Sequence, residues 1–382
     1  MKKVLVVSQV IPQWYVDLLT QALGEDADID IITGSQVRGN TIESPKHDPR
    51  SLKSRLICWW KHYRFVMSWA KRNRDTRYDL IFAISNPPIN SFLGLKLKKL
   101  FHAPFVYMNW DLYPQVIEES ISNPIVLMVC KGWHCWNSRN YPKIDRMLTI
   151  GTVMAESLVK PLKTPIPVEV LPIAVDIDYL KPIPKEENPF CIENDLMDKF
   201  VVLYSGKMGL GHNIELILEA AEKLKKNRNI CFVFIGDGPK YPVVENFIKE
   251  HHSENIKLFP LQPDNVFPYS MACGDVGIVT QEAKMAHLFM PSKTYSMMAC
   301  GQVIVGICTE HDDLHRLLSD GCFGRAVTKA SAEELALQIE ELYNNTMQVI
   351  EMKVAARKAI EDTYSNKCIQ GSYRRLFEMI EE

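Results

Sequence analysis

The chain has 382 residues, 47% hydrophobic and 24% charged, with a formal charge of −2, the make-up of a globular protein long enough for two domains. Its charge is unevenly spread, 22 Lys and Arg against 15 Asp and Glu over residues 1–172 and 22 against 31 in the rest, so the two halves are set to meet different partners. No C-x-x-C pair occurs among the ten cysteines, which fits free thiols in a reducing cytosol better than a disulfide framework or zinc site, and no apolar run reaches the ~20 residues of a spanning helix.

The opening, "MKKVLVVSQVIPQW", has a short apolar run without a small-residue cleavage site and reads as a first buried strand, not a signal peptide. Further strands are expected at 29–32, 80–84, 105–107 and 147–150, with helical stretches between several of them. Short apolar strands alternating with helices imply a parallel sheet covered on both faces. Between the second and third strands, "KSRLICWWKHYRFVMSWAKRNRDTR" at 53–77 carries eight Lys and Arg against one acid. Leu56, Trp59, Tyr63, Val66 and Ala70 keep helical spacing there. Such a basic, tryptophan-bearing helix suits an anionic membrane surface; a core helix with a solvated basic side fits equally. Nucleic acid is disfavoured because no recognition motif accompanies the patch.

Seven prolines between 161 and 189 mark the interdomain connection. Beyond them strands are expected at 201–204, 231–235, 256–258, 276–279 and 303–306, with helices starting near 213, 243, 293 and 332. Two α/β halves joined by a linker predict a two-domain enzyme with a cleft. "HDDLH" at 311–315 sets two histidines one helical turn apart. It lacks the glutamate of a zinc-protease motif, and no third ligand is evident. His134 and Cys135 are read as part of an aromatic-rich helix face.

The stretch "VVLYSGKMGLGHNIELILEAAEKL", 201–224, reads as strand, glycine turn and helix. Ligands of open α/β sheets sit beyond the carboxyl ends of strands, where this turn lies. Gly206, Gly209 and Gly211 are expected to adopt positive φ and let backbone approach a ligand. The following helix turns free N–H groups and its positive dipole end to the same place, which favours an anion, most often phosphate. Lys207 and His212 add donors. No P-loop and no G-x-G-x-x-G is present. Two later turns, in "FVFIGDGPK" at 232–240 and "MPSKTYSMMACG" at 290–301, could converge on one extended ligand with a base, a ribose and a diphosphate.

The order and spacing of "YSGKMGLGHNIELILEAA", "FVFIGDGP", "VFPYSMACGDVGIVT", "MPSKTYSMMACG" and "GCFGRAVTKASAEELALQI", with "SNPPINSFLGLKL" and "APFVYMNWDLYPQ" upstream, resemble the group 1 glycosyltransferases (glycosyltransferase family 4). The likeness is nearest to the branch that builds capsule, O-antigen and exopolysaccharide units. It implies an α/β GT-B fold of two Rossmann-like, doubly wound domains facing across a cleft. An acceptor domain would span 1–172, a nucleotide-sugar domain 173–353, and a final helix over 354–382 would cross back to the first. It further implies metal-independent transfer of a sugar from a nucleoside-diphosphate donor, a UDP-sugar by preference, with retention of configuration. The acceptor would be a lipid-diphosphate-linked saccharide at the cytoplasmic face of the plasma membrane, with the protein peripheral through 53–77. No cofactor or metal is expected.

By the same resemblance Lys207 stands for the family's arginine and His212 for its lysine, both holding the diphosphate as leaving group. Gly236, Asp237 and Gly238 would border the nucleoside, and Leu261 would join the donor residues. Ser292, Lys293 and Tyr295 would lie near diphosphate and ribose. The family's two glutamates fall on Leu288 and Ser296, which leaves Glu282 as the nearest acid upstream. Asp111 matches the family's first-domain His or Asp facing the donor sugar, while Gln9 and Trp14 are candidate acceptor contacts. Asp111 is alternatively a helix-capping aspartate. A sugar-nucleotide epimerase of the same fold, or a non-catalytic partner in a polysaccharide assembly complex, are the rival functions.

Overall fold

The structure, a computed structural model, describes residues 2–24, 26–48 and 50–380. The chain forms two compact units, Met1–Pro172 with Ile369–Glu382, and Ile173–Cys368. In the first, seven parallel strands run in the order β3-β2-β1-β4-β5-β6-β7. They are β1 (Lys3–Val7), β2 (Asp28–Thr33), β3 (Asn40–Glu43), β4 (Leu80–Ile84), β5 (Phe105–Asn109), β6 (Arg146–Thr149) and β7 (Val168–Val170). The second unit orders six parallel strands β10-β9-β8-β11-β12-β13. These are β8 (Phe200–Ser205), β9 (Ile230–Ile235), β10 (Ile256–Phe259), β11 (Val276–Thr280), β12 (Val303–Ile307) and β13 (Gly324–Val327). Both orders reverse direction once, between β1 and β4 and between β8 and β11, the doubly wound arrangement with its ligand crevice at the reversal.

Every central strand coincides with an apolar run buried on both faces, as in β4 and β12, whose five residues are all buried. The three unexpected strands are the edges β3, β7 and β13. Their sequences, NTIE, VEV and GRAV, are short and part-polar because one side of an edge strand needs no partner.

The segment expected as one helix over 354–382 is two. The helices Thr346–Ala359 and Asn366–Met379 are separated by a wide turn, Ile360–Tyr364. The interruption has a partner: the amide of Val175 donates to the Tyr364 carbonyl and the Asn366 amide donates to the Val175 carbonyl. The return to the first unit thus begins at Ile369, later than the boundary drawn at 353/354. Tyr373 then meets Tyr15 hydroxyl to hydroxyl at 2.6 Å, and Phe377 packs edge-on against Phe82. Glu381 and Glu382 lie outside the described residues.

The basic segment forms the helix Leu52–Arg72, capped by reciprocal hydrogen bonds between Ser51 and Ser54. Trp59, His62, Val66 and Ala70 form its buried side. Leu56, placed on that side by spacing, is 52% exposed, and it lies with exposed Ile57 and Trp60. The helix therefore has a core face and an exposed apolar and basic face at once. Among the described residues no helix is long and apolar enough to cross a membrane.

Candidate active site

At the end of β8 the chain turns at Gly206, with φ +128°, and its amide donates to the Ile235 carbonyl at the end of β9. The two strand-end turns interlock. The Met208 amide donates to the Asp237 carbonyl at 2.6 Å, and the Lys240 amide returns to the Met208 carbonyl at 3.0 Å. Gly236 and Gly238, at φ +151° and +128°, are required by contact as well as by conformation. A Cβ on Gly236 would lie 1.9 Å from the Gly206 carbonyl oxygen, and one on Gly238 2.6 Å from that of Met208. Gly209 and Gly211, expected at positive φ, are not in that region. Gly211 instead makes room for Glu282, whose Oε2 would stand 2.9 Å from a Cβ there, while a Cβ on Gly209 would meet only the His212 ring, at 4.0 Å.

The helix Ile214–Lys223 follows, buried through Ile214, Ile217, Leu218 and Ala221, so its start is fixed against the sheet. The Asn213 amide donates to Thr280 Oγ1 at the end of β11. Around this start stand Lys207, exposed on the turn, and His212, half-buried. Lys240 donates from Nζ to the His212 carbonyl and to Glu215, both at 2.7 Å.

Lys293 opens the helix Lys293–Ala299. Its stem is part-exposed, but its Nζ is shut off from solvent and has no hydrogen-bond partner among the described residues. The ammonium lies 4.1 Å from the centre of the Tyr204 ring and 3.3 Å from where a Cβ on Gly206 would be. Burial pulls its pKa down to about 8. Burial first, then Lys293, holds the His212 imidazole below its usual value. A buried cation without a partner carries a desolvation cost that an anion at the turn would offset.

The other donor candidates divide. Ser292, Asp237 and Leu261 are exposed, Leu261 in the loop after β10. Tyr295 is corrected: its side chain is 3% exposed and packs on Tyr364, its ring centre 4.9 Å away, so it is core. Leu288, at the position of the first missing glutamate, is fully buried.

In the first unit, Asp111 follows β5. The amides of Trp110 and Asp111 donate to Ser85 Oγ at 3.0 and 3.3 Å, which fixes the turn, and burial pushes the Asp111 carboxyl up to about 6. Gln9 is corrected as well. It is fully buried, and its Nε2 donates to the Pro45 carbonyl at 2.8 Å, bracing the loop after β3. Trp14 is 41% exposed, edge-on to Tyr15. In "HDDLH", Asp312 caps the helix Asp313–Asp320 by accepting from the His315 amide. His134 Nε2 pairs with Glu118 at 2.9 Å.

Sequence reasoning missed Lys240 and Tyr204. Lys240 stands in a quoted glycine turn and could have been noticed. Tyr204 reads as one more apolar strand residue, and only the folded turn brings its hydroxyl to Lys207 and His212.

Residues 199–345, which hold the second-unit candidate site residues, match the sequence profile of the family described as glycosyl transferases group 1. The chain carries a group 1 glycosyltransferase domain. Over 327 residues it is 24% identical to a probable glycosyltransferase, WbjE, of Pseudomonas aeruginosa, covering 83% of this chain and 79% of that protein. Over 124 residues it is 30% identical to a putative colanic acid biosynthesis glycosyl transferase, WcaI, of Escherichia coli K12, covering 32% of this chain and 30% of that one. Among solved structures, Anabaena Alr3699/HepE in complex with UDP-glucose aligns over 99% of this chain and 100% of its own, with a TM-score of 0.74 at 16% identity. The shared architecture is GT-B, so the glycosyltransferase domain occupies the second of two doubly wound units.

Proposed function

We propose that this glycosyltransferase moves a sugar from a UDP-sugar to a lipid-diphosphate-linked saccharide during assembly of a surface polysaccharide, retaining the anomeric configuration and using no metal. The observation that carries the reading is the partnerless, buried ammonium of Lys293 against the Gly206 turn, at the strand-order reversal where this fold binds ligands. A diphosphate there meets Lys293, Lys207, His212 when protonated, and the start of the helix Ile214–Lys223. All of these favour negative charge, so they stabilise the charge that develops on the departing UDP. Those protein cations would do what a magnesium ion does elsewhere. Support for the biological setting comes from the colanic acid name of the WcaI relative, and for the uridine donor from the UDP-glucose complex of the HepE structure.

Asp111 would serve the acceptor hydroxyl or the donor sugar by hydrogen bonding. Its raised pKa leaves it partly protonated near pH 6 and ionised above. The exposed face of the helix Leu52–Arg72 would hold the protein at an anionic leaflet on the cytoplasmic side.

The test incubates purified protein with UDP-sugars and a polyprenyl-diphosphate saccharide in EDTA, following UDP release and the anomeric configuration of the product by NMR. Acceptor-dependent UDP release with a retained linkage is expected. Inversion, or loss of turnover in EDTA that magnesium restores, contradicts the mechanism. A sugar epimer formed without acceptor would show the rival epimerase, and nucleotide binding without turnover a non-catalytic partner.

A further inference from the structure

Tyr204, at the end of β8, touches both Lys293 and His212. Lys293 Nζ sits over its ring at 4.1 Å, and His212 Nδ1 lies 2.7 Å from its hydroxyl. We propose that Tyr204 is a positioning residue of the donor site: its ring seats Lys293, and its hydroxyl fixes His212 in the tautomer that cannot donate to an anion until protonated, so that donor binding takes up a proton. The proposal rests on the reading that this turn holds the donor's diphosphate.

The tautomer follows from counting protons. A phenol has one O–H to donate. Tyr204 Oη is 2.8 Å from the Lys207 carbonyl oxygen, which can only accept, so the phenolic proton is committed there. The contact to His212 Nδ1 is then an N–H donated by the imidazole to the phenolic oxygen. With Nδ1 protonated, a neutral His212 carries a lone pair at Nε2, which takes no hydrogen bond from the described residues. That lone pair repels a phosphate oxygen. One added proton turns Nε2 into a donor and supplies a charge.

The surroundings set the direction of the linkage. Lys293 faces His212 from its own helix and Lys240 from the start of the helix Tyr241–His251, while Lys207 meets it through its backbone. Glu215 is engaged by Lys240, and Glu282 stands at Gly211. Burial first, then Lys293, keep the imidazole neutral around neutrality in the free protein, against the Lys207 backbone, which favours its protonated form. A bound diphosphate reverses that balance and raises the imidazole pKa. Affinity is therefore highest at low pH. It falls as pH rises from the free pKa to the bound one, by up to about tenfold per pH unit for one proton. The family's lysine at this position would carry its charge throughout and show no such slope.

The experiment uses UDP-glucose, whose diphosphate does not titrate near neutrality. Its affinity is measured by calorimetry between about pH 5.5 and pH 7.5, below the titration of Lys293, for the native chain, Tyr204→Phe and His212→Lys. Imidazole ¹⁵N shifts report the His212 tautomer in the native protein. Tyr204→Phe keeps the aromatic seat of Lys293 and frees only the imidazole, which can then turn to the Nε2–H form. The expected results are a native affinity that falls steeply with pH, two variants that stay within about twofold across the range, and an Nδ1–H tautomer in the free protein that becomes doubly protonated with UDP-glucose. An Nε2–H tautomer in the free native protein overturns the proposal, as does the native pH slope surviving in Tyr204→Phe. Failure of UDP-glucose to bind at any pH overturns the donor-site reading itself, and the tautomer in the free protein still decides the part assigned to Tyr204.

Discussion

Lys293 keeps an ammonium out of water against the face of Tyr204, with no hydrogen-bond partner among the described residues. Its pKa, lowered from 10.5 to about 8, corresponds to a stability penalty on the order of 2–3 kcal/mol, somewhat less because the stem reaches solvent. The folded pKa lies below the unfolded one, so the penalty is full below about pH 8 and fades as pH rises toward 10.5. Lys293→Met removes it at the loss of a cation–π contact of about 1 kcal/mol. The variant is expected to melt a few degrees above the native protein at pH 7, with the gain shrinking by pH 10, as read by calorimetry without nucleotide. At this scale the sequence was informative where it set a lysine at "MPSK" on the start of a helix, which is where the Lys293 ammonium is found. It misled at Gln9 and Tyr295, both inward-facing, because polarity alone does not tell on which side of a turn a side chain falls. It was silent on Tyr204, whose role depends on a turn closing over its hydroxyl.

The interlocked turns after β8 and β9 are the element that shapes the site, and their glycines are unequal. Gly236→Ala places a methyl 1.9 Å from the Gly206 carbonyl at a φ that L-residues avoid, whereas Gly209→Ala meets only the His212 ring at 4.0 Å. The first is expected to lose at least 2 kcal/mol, roughly the strain of such a position, together with nucleotide binding; the second should keep both within about 0.5 kcal/mol. Urea unfolding with and without UDP separates them. The positions of Gly236 and Gly238 were legible because a strand followed by G-D-G-P leaves few conformations. The choice of Gly206 over Gly209 and Gly211 was not, since it is set by β9 pressing on β8. The helix Leu52–Arg72 shows the same limit. Its period marked a helix, but Leu56 lies on the exposed side with Trp60, over whose ring the Arg64 guanidinium sits at 4.9 Å. If that face meets anionic lipid, Trp60→Ala with Arg64→Glu should weaken sedimentation with phosphatidylglycerol vesicles at least tenfold, at about 1 kcal/mol per charge, and leave UDP binding unchanged. Equal sedimentation by both proteins would remove the membrane role.

For the molecule as a whole, both sheets were readable as parallel and covered on both faces because their central strands are apolar on both faces, while the doubly wound order came from the family resemblance. The edges β3, β7 and β13 escaped notice for lack of that signal. The return of the chain to the first unit was implied by the family resemblance. Its break at Ile360–Tyr364 was not, because Val175, far away in sequence, imposes it. Tyr373 makes the returning helix part of the first unit's core, 1% exposed beside Tyr15 and Phe82. Tyr373→Ala is expected to cost about 3–5 kcal/mol in urea unfolding, as for other large buried aromatics, and a loss under 1 kcal/mol would show that the helix is only draped on the surface. The account as a whole depends on a diphosphate lying against Lys293. The direct measurement is calorimetric titration of UDP into the native chain and into Lys293→Met at pH 7. Affinity at least tenfold weaker in the variant, with a melting temperature no lower than native, is predicted; equal affinity in the two proteins would contradict it.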